Sequence, residues 1–471
     1  MFEFNLKSRD YKHIHFIGIG GISMSGLAEI LLSKGYEVTG TDAKDSSTIT
    51  RLRNLGARVF LEHDTKNIIG ADLIVYTDAI SQDNIELDAA KKSGIATTDR
   101  ASFLGALMKN YTYSIAVSGT HGKTTTTSML ASITNHGNLQ PTVLLGGQLD
   151  DIGGNVKIDS DEYILTEACE YKANILKYFP TMAIILNIDE DHLDYFKNID
   201  HIVDTFAGYS KNLSKDDYLL ANIDDPHMGK VIEATDANVI TFGIEKEADY
   251  RAEDIVFSKE GYPTFNLNIK GKGKFPVTLK IMGAHNIYNA VASMAAADTY
   301  KVPLEDFLKY MNLYSGVHRR LEYKGSFKGV DVLDDYAHHP TEIKATLEAI
   351  NNKSAGDVYC VFQPHTFTRT KALLESFSDS FKLADKVIIT DIYAAREADT
   401  GEIHSRDLSD KISAKGVDSI YLSTFKEIED YLNIKTKSGD VIITMGAGNV
   451  YLIGESLLKI ESSDMLEKAV V

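Results

Sequence analysis

Only two cysteines, Cys169 and Cys360, occur in 471 residues. Far apart in sequence, they support neither a disulfide framework nor a zinc-binding spacing. Their ordinary reading is a pair of reduced, packed thiols. Long apolar runs are also missing. None approaches the roughly 18 residues needed to cross a bilayer. The first such run, 16–22, is broken by Gly18, Gly20 and Gly21, which makes a poor signal-peptide core, so a cytoplasmic protein without membrane partners is expected. Cations are scarce too: 49 Lys and Arg face 67 Asp and Glu, a formal net charge of −18. Such a body repels polyanions, which excludes general nucleic-acid binding. Anionic substrates would have to be held by local cation clusters, metal ions and backbone N–H groups.

What is present is ordinary for a soluble globular protein: 44% hydrophobic and 25% charged residues, in a chain long enough for about three domains. Short β-type runs at 13–19, 37–42, 58–63 and 73–79 alternate with helical segments such as 23–34 and 49–55. A second strand–loop–helix starts at 113–117, and a third set of runs lies at 330–336, 358–363, 386–393, 419–423 and 440–444. The alternation predicts an α/β protein built on doubly wound parallel sheets, with three domains at about 1–108, 109–316 and 317–471. Alternation at 263–270 and 274–281 around Gly271 and Gly273 predicts a small antiparallel hairpin inserted in the middle domain. No tandem repeat or low-complexity linker is visible.

The strongest motif is S-I-A-V-S-G-T-H-G-K-T-T-T-T at 114–127. A strand leads into Gly119, Thr120, His121, Gly122, Lys123, Thr124 and Thr125, and a helix follows. The glycines let the backbone wrap a phosphate, the helix N-terminus points amides at it, and Lys123 adds charge. The Thr124 hydroxyl stands where a Mg²⁺ ligand is needed. The loop is shorter than the usual P-loop, whose first glycine would fall at Val117.

Downstream, Y-I-L-T-E ends in Glu167, and M-A-I-I-L-N-I runs into Asp189-Glu190-Asp191-His192-Leu193-Asp194. Carboxylates and an imidazole at strand ends beside a phosphate loop suit a metal or substrate. His285, Asn286 and Asn289 open a run of small helical residues, where helix capping is the expected role from chemistry alone. Three further strand ends carry His, Arg and Asp. They are the D-D-Y-A-H-H-P-T-E run with Tyr336, His338 and His339, the run Gln363 to Thr370 with His365 and Arg369, and Asp391 to Glu397 with Arg396. Arg319 and Arg320 sit at the proposed hinge, a pairing that suits phosphate. The histidines lack the helical i, i+4 spacing of a zinc hydrolase. At the N-terminus, H-F-I-G-I-G-G-I-S-M-S-G places Gly18, Gly20, Gly21 and Ser23 after a strand, with Asp42 about 20 residues on. This imperfect dinucleotide fingerprint predicts a nucleotide diphosphate near 18–26, NAD among the possibilities.

The short G-T-H-G-K-T loop resembles that of the Mur ligase family, which includes the folylpolyglutamate synthetases. H-F-I-G-I-G-G-I-S-M-S-G, N-I-D-E-D-H-L-D, G-V-H-R-R-L-E and D-D-Y-A-H-H-P-T-E extend the resemblance from His13 to Gly448, in order, and most closely to its alanine-adding branch. The resemblance implies a Rossmann-like N-terminal domain, a central P-loop ATPase-type domain and a Rossmann-like C-terminal domain that binds the amino acid. It implies ligation of L-alanine to the carboxylate of UDP-N-acetylmuramate through an acyl phosphate, giving ADP and phosphate in peptidoglycan synthesis, by a monomer or weak homodimer that uses ATP and Mg²⁺. Gly18, Gly20, Gly21, Ser23 and Asp42 with the loop 76–80, including Thr77 and Ala79, would bind the UDP end. Thr124, Glu167 and His192 would hold Mg²⁺. His285, Asn286 and Asn289 would face adenine. Arg319, Arg320, Tyr336, His339, His365 and Arg369 would meet the γ-phosphate, the muramate and L-alanine. Lys123, Arg320 and His339 would be catalytic, with His339 deprotonating the amine.

Three departures from relatives stand out. The uridine loop reads Y-T-D-A-I in place of paired serines, Thr366 replaces an arginine, and 203–208 has no lysine, which predicts a site without a carbamylated lysine. The rivals are the recycling ligase that attaches murein tripeptide, an NAD-dependent oxidoreductase and a non-catalytic nucleotide-binding regulator.

Overall fold

A computed structural model describes residues 2–81, 83–137, 139–351, 356–395 and 397–459. Arg396 and the last stretch of the expected third domain, 460–471, lie outside the described residues. Three sheets follow one another along the chain. The first is five-stranded and wholly parallel. His13–Ile17 lies at its centre between Glu37–Thr41 and Leu73–Tyr76, with Arg58–Phe60 and Ala96–Asp99 at the edges. His13–Ile17 is buried at every position, as a central strand covered on both faces must be.

The second sheet has ten strands. Tyr113–Ser118 is central, parallel to Met182–Ile185 on one side and Tyr163–Glu167 on the other. The hairpin expected from alternation is present, as Pro263–Ile269 and Gly273–Thr278, but it is not a separate insertion. Tyr250–Phe257 pairs with Asn238–Gly243 on one side and with Pro263–Ile269 on the other, so the hairpin extends the same sheet. The third sheet carries Val441–Met445 between Val330–Asp335 and Val358–Phe362.

In the first two sheets the strands on the two sides of the central strand are reached in opposite directions, and in the third the chain passes from Val330–Asp335 to Val358–Phe362 and returns last to Val441–Met445 between them. These arrangements create crevices beyond the strands' C-terminal ends, where open α/β sheets bind ligands. The loops after Ile17 and Tyr76 share the first crevice, and those after Ser118, Glu167 and Ile185 the second. The loops after Asp335, Phe362 and Met445 share the third. No helix among the described residues is long and apolar enough to cross a membrane.

The first and second sheets pack tightly enough to require a glycine. A Cβ on Gly105, in the helix Arg100–Met108, would lie 1.9 Å from the Lys177 carbonyl oxygen. Backbone cannot swing aside as a side-chain tip can, so Gly105→Ala is expected to destabilise the protein by about 3 kcal/mol, at the upper end of overpacking costs. A fall of several degrees in melting temperature would show it; an unchanged melting curve would mean the two sheets have slack.

Candidate active site

The phosphate loop turns on two glycines with positive φ, Gly119 at 130° and Gly122 at 84°. A Cβ on Gly122 would sit 2.6 Å from Asn289 Oδ1, so close approach as well as φ demands glycine there. The neighbouring strand end braces the loop. Asn187 accepts from Thr120 N through its carbonyl at 3.1 Å and from His121 N through Oδ1 at 2.8 Å. Lys123 Nζ donates to the carbonyls of Gly119 and Thr120 and to Glu170 Oε2 at 3.1 Å. Burial opposes the ammonium charge, but Glu170 outweighs it and lifts the pKa above the ordinary lysine value.

Thr124 Oγ1 donates to Glu167 Oε2 at 3.1 Å, and Glu167 Oε1 accepts from Gly146 N at 2.6 Å. His192 lies on the wall of the same cavity, with Nε2 3.7 Å from Glu170 Oε1. Thr124 and Glu167 present hard oxygen donors, the kind Mg²⁺ takes. Arg320 reaches in from the third sheet's side, its Nη2 3.4 Å from Thr124 Oγ1. Arg319 behaves differently from its neighbour. It donates to Asp334 Oδ2 at 3.1 Å and to the Gly446 carbonyl at 2.7 Å, so its guanidinium is committed to bracing the third domain rather than to ATP.

His285, Asn286 and Asn289 line a cavity of about 430 Å³ beside the loop, with Thr125, Leu186, Asp224 and Tyr288. The capping expectation fails there, since the helix His285–Thr299 starts at Ala284 with no side-chain cap. Instead Asn286 donates to the Met282 carbonyl and Asn289 to Asn286 Oδ1, at 2.7 and 2.9 Å.

At the first crevice, Asp42 Oδ2 accepts from Gly20 N at 2.9 Å and Oδ1 from Lys44 N at 3.2 Å, so Asp42 braces the glycine loop. Thr77 faces Gly18, where a Cβ would meet its Cγ2 at 2.6 Å. Ser23 and Ala79 are exposed, as is Gly21.

A second cavity, of about 210 Å³, is lined by Tyr336, His338, His365, Arg369, Asp191 and His192. Arg369 Nη2 pairs with Asp191 Oδ1 at 3.0 Å. Burial works against the Asp191 carboxylate, but the charges of His192 and Arg369 hold it far below the usual range. Tyr336 lies under both guanidiniums of the Arg319–Arg320 pair, about 5 Å from each.

His339 differs from expectation. Its Nε2 bonds the Glu190 carbonyl at 2.9 Å and its Nδ1 accepts from Thr341 N at 3.3 Å, which leaves no ring nitrogen open to a substrate proton. His338, noted in the same strand-end run but given no role by the sequence, is the more open of the two. Its Nδ1 is fixed by the Tyr336 carbonyl at 3.0 Å, and Nε2 carries no hydrogen bond among the described residues. Burial pushes its pKa down to about 4, so the ring is neutral at pH 7. Glu342 was also missed. It bonds His121 Nδ1 at 3.3 Å and the His338 amide at 3.0 Å, joining the phosphate loop to the third domain. The signal for it was its i, i+4 spacing from His338.

Three family models match in succession: "Mur ligase family, catalytic domain" over residues 13–112, "Mur ligase middle domain" over 117–297 and "Mur ligase, glutamate ligase domain" over 319–448. Among curated proteins, a UDP-N-acetylmuramate–L-alanine ligase from Caldanaerobacter subterraneus subsp. tengcongensis is 49% identical, over 95% of this chain and 98% of that protein. One from Acetivibrio thermocellus is 50% identical, over 96% and 97%. Among solved structures, UDP-N-acetylmuramate-alanine ligase from Thermotoga maritima superposes with a TM-score of 0.80 at 27% identity, over 96% of this chain and 100% of that one. A murein peptide ligase from Psychrobacter arcticus shares the fold, with a TM-score of 0.71 at 24% identity, over 95% and 98%. With all three models matched in order across nearly its whole length, the chain belongs to the Mur ligase family.

Proposed function

We propose that the chain is an ATP-dependent ligase that joins L-alanine to the carboxylate of UDP-N-acetylmuramate in peptidoglycan synthesis. The observation that carries this is the meeting of Lys123, Thr124 and Glu167 with Arg320 from a different domain on one cavity. Near-50% identity to alanine ligases over nearly the full length supports the choice of amino acid. In this reading residues 1–108 take the UDP-linked substrate, 109–316 take ATP and 317–471 take the amino acid.

The substrate carboxylate attacks the γ-phosphate of ATP, which displaces ADP and leaves an acyl phosphate. Lys123 and Arg320 offset the charge that accumulates on the transferring group. Mg²⁺ held at Thr124, Glu167 and His192 would supply further charge neutralisation. The amine of L-alanine then attacks the acyl carbon and phosphate leaves. Arg369 is the cation available to the alanine carboxylate, provided Asp191 gives it up. His338, with Nε2 open to the cavity, is the group best placed to take the amine proton.

The test is phosphate release from ATP with UDP-N-acetylmuramate, with and without L-alanine. Release that needs both substrates supports the ligase. Release with murein tripeptide and none with L-alanine would replace it by the recycling ligase. No release with either would leave a nucleotide-binding regulator. Within the reaction, His338→Gln is expected to lower kcat about 10²-fold with KM for ATP unchanged, the lower range for general-base removal. His339→Gln, by contrast, should chiefly lower thermal stability. Equal kcat losses in the two variants would remove His338 from the base role.

A further inference from the structure

Among the described residues, one group of side chains has the spacing of metal ligands. His121, Asp189 and His339 each offer an atom, and these atoms lie within 4.8 Å of one another. His121 Nε2 is 3.0 Å from Asp189 Oδ2, and His339 Nδ1 is 4.0 Å from the same oxygen. The two rings stand side by side, with centroids 4.9 Å apart. His121 and Asp189 belong to the middle domain and His339 to the third. None of the three borders the cavity that holds Thr124, Glu167 and His192, so this place is separate from the one read for Mg²⁺.

A ligating histidine has its other ring nitrogen fixed by a carboxylate or a backbone carbonyl, which sets the tautomer and aims the ring. Both histidines meet that condition. His121 Nδ1 faces Glu342 Oε1 at 3.3 Å, and His339 Nε2 faces the Glu190 carbonyl at 2.9 Å. Asp189 Oδ1 accepts from Glu190 N at 2.8 Å, which turns Oδ2 toward the two rings. Thr341 N reaches His339 Nδ1 only at 3.3 Å, a long bond that an ion can displace. Thr341 Oγ1 donates to Asp189 Oδ2 at 2.6 Å and can remain, because a carboxylate oxygen accepts twice. Burial holds the His339 pKa down, so its ring is neutral and ready to ligate. The proton that His121 shares with Asp189 leaves when an ion takes Nε2.

Two imidazoles and one carboxylate, with water in the fourth position, form a tetrahedral Zn²⁺ donor set. An ion about 2 Å from each ligand spaces them about 3.3 Å apart. The separations of 3.0 and 4.0 Å bracket that value. Mg²⁺ prefers six oxygens and competes poorly for imidazole. His121 and Asp189 also line the cavity of about 430 Å³, which gives an ion its way in.

We propose that a Zn²⁺ ion binds His121 Nε2, Asp189 Oδ2 and His339 Nδ1 across the boundary between the middle and third domains and fastens the third domain to the phosphate loop. Without the ion, the His121 proton bridges Asp189 and Glu342 in the same place. The site stands whichever amino acid the protein ligates.

The experiment is calorimetric titration of the full chain with Zn²⁺ in excess Mg²⁺ and without nucleotide, beside the visible absorption of the same protein with Co²⁺. One Zn²⁺ per chain and the intense bands of four-coordinate Co²⁺ are expected. His121→Gln and His339→Gln should each weaken Zn²⁺ by more than about a hundredfold, beyond the loss caused by removing an outer partner. His192→Gln should leave Zn²⁺ affinity unchanged. Because His339→Gln is also expected to melt earlier, its titration is run below its measured unfolding. The Co²⁺ bands of the unaltered chain depend on no substitution. Weak bands of six-coordinate Co²⁺ would overturn the proposal, as would unchanged Zn²⁺ affinity in His339→Gln. An equal loss in His192→Gln would overturn it too, since the ion would then sit at the place read for Mg²⁺.

Discussion

Lys123→Ala is expected to cut ATP-dependent phosphate release by about 10³-fold, the scale of losing a principal charge at a transferring group. The ammonium is fixed by the Thr120 carbonyl at 2.8 Å and by Glu170 at 3.1 Å, and these bonds aim it into the loop. Its removal has a second effect. Glu170 is only 2% exposed and, among the described residues, would keep only His192, 3.7 Å away, as a possible cation. Leaving a buried carboxylate without its partner costs about 3–5 kcal/mol. Lys123→Ala should therefore also melt earlier, and activity loss alone could be read as unfolding. The double variant Lys123→Ala/Glu170→Gln separates the two effects. It should recover most of the melting temperature and none of the phosphate release. Recovery of activity in the double variant would show that Lys123 serves the fold and not the chemistry.

The split between the phosphate-loop lysine and its buried counter-ion marks where sequence reading stops. The loop itself was legible because glycine, lysine and threonine at fixed spacing between strand and helix seldom serve anything but a phosphate. The hairpin was legible because strict alternation flanked Gly271 and Gly273, and the structure pairs Ile269 with Gly273 there. Ala96–Asp99 and Glu322–Phe327 went unread for the opposite reason: they are short edge strands whose polar residues break any alternation. The branching of roles within H-R-R and H-H-P was also out of reach. Arg319 and Arg320 are adjacent and chemically identical, yet one braces Asp334 while the other reaches Thr124. His338 keeps one ring nitrogen open, whereas in His339 the Glu190 carbonyl takes one and Thr341 N the other. Such choices depend on contacts like His121 to Glu342, 221 residues apart, and no local pattern encodes them.

That contact gives the last expected result: docking of the third domain on the phosphate loop weakens as pH rises through about 9. His121 stands between Asp189 Oδ2 at 3.0 Å and Glu342 Oε1 at 3.3 Å, with the His339 ring 4.9 Å away and His285 also nearby. Burial disfavours its charged form, but the bonds to Asp189 and Glu342 and their charges outweigh burial and lift the pKa from 6.5 to about 9. Thr341 on the third domain adds a bond to Asp189 at 2.6 Å. A pKa raised in the docked state means protons favour docking. Asp189 lies on the same domain as His121 and stays beside it in either state, so only the part of the shift due to Glu342 belongs to docking. That contribution is complete below the undocked pKa, where His121 is charged in both states, and is lost as pH passes about 9. Its size is about 3 kcal/mol at most. Scattering or interdomain energy transfer should show expansion with a midpoint near pH 9. Glu342→Gln removes one of the two anions and should move that midpoint toward 6.5, with weaker docking at about pH 7. A radius constant from about pH 6 to 10 in both proteins would mean that His121 titrates without holding the domains together.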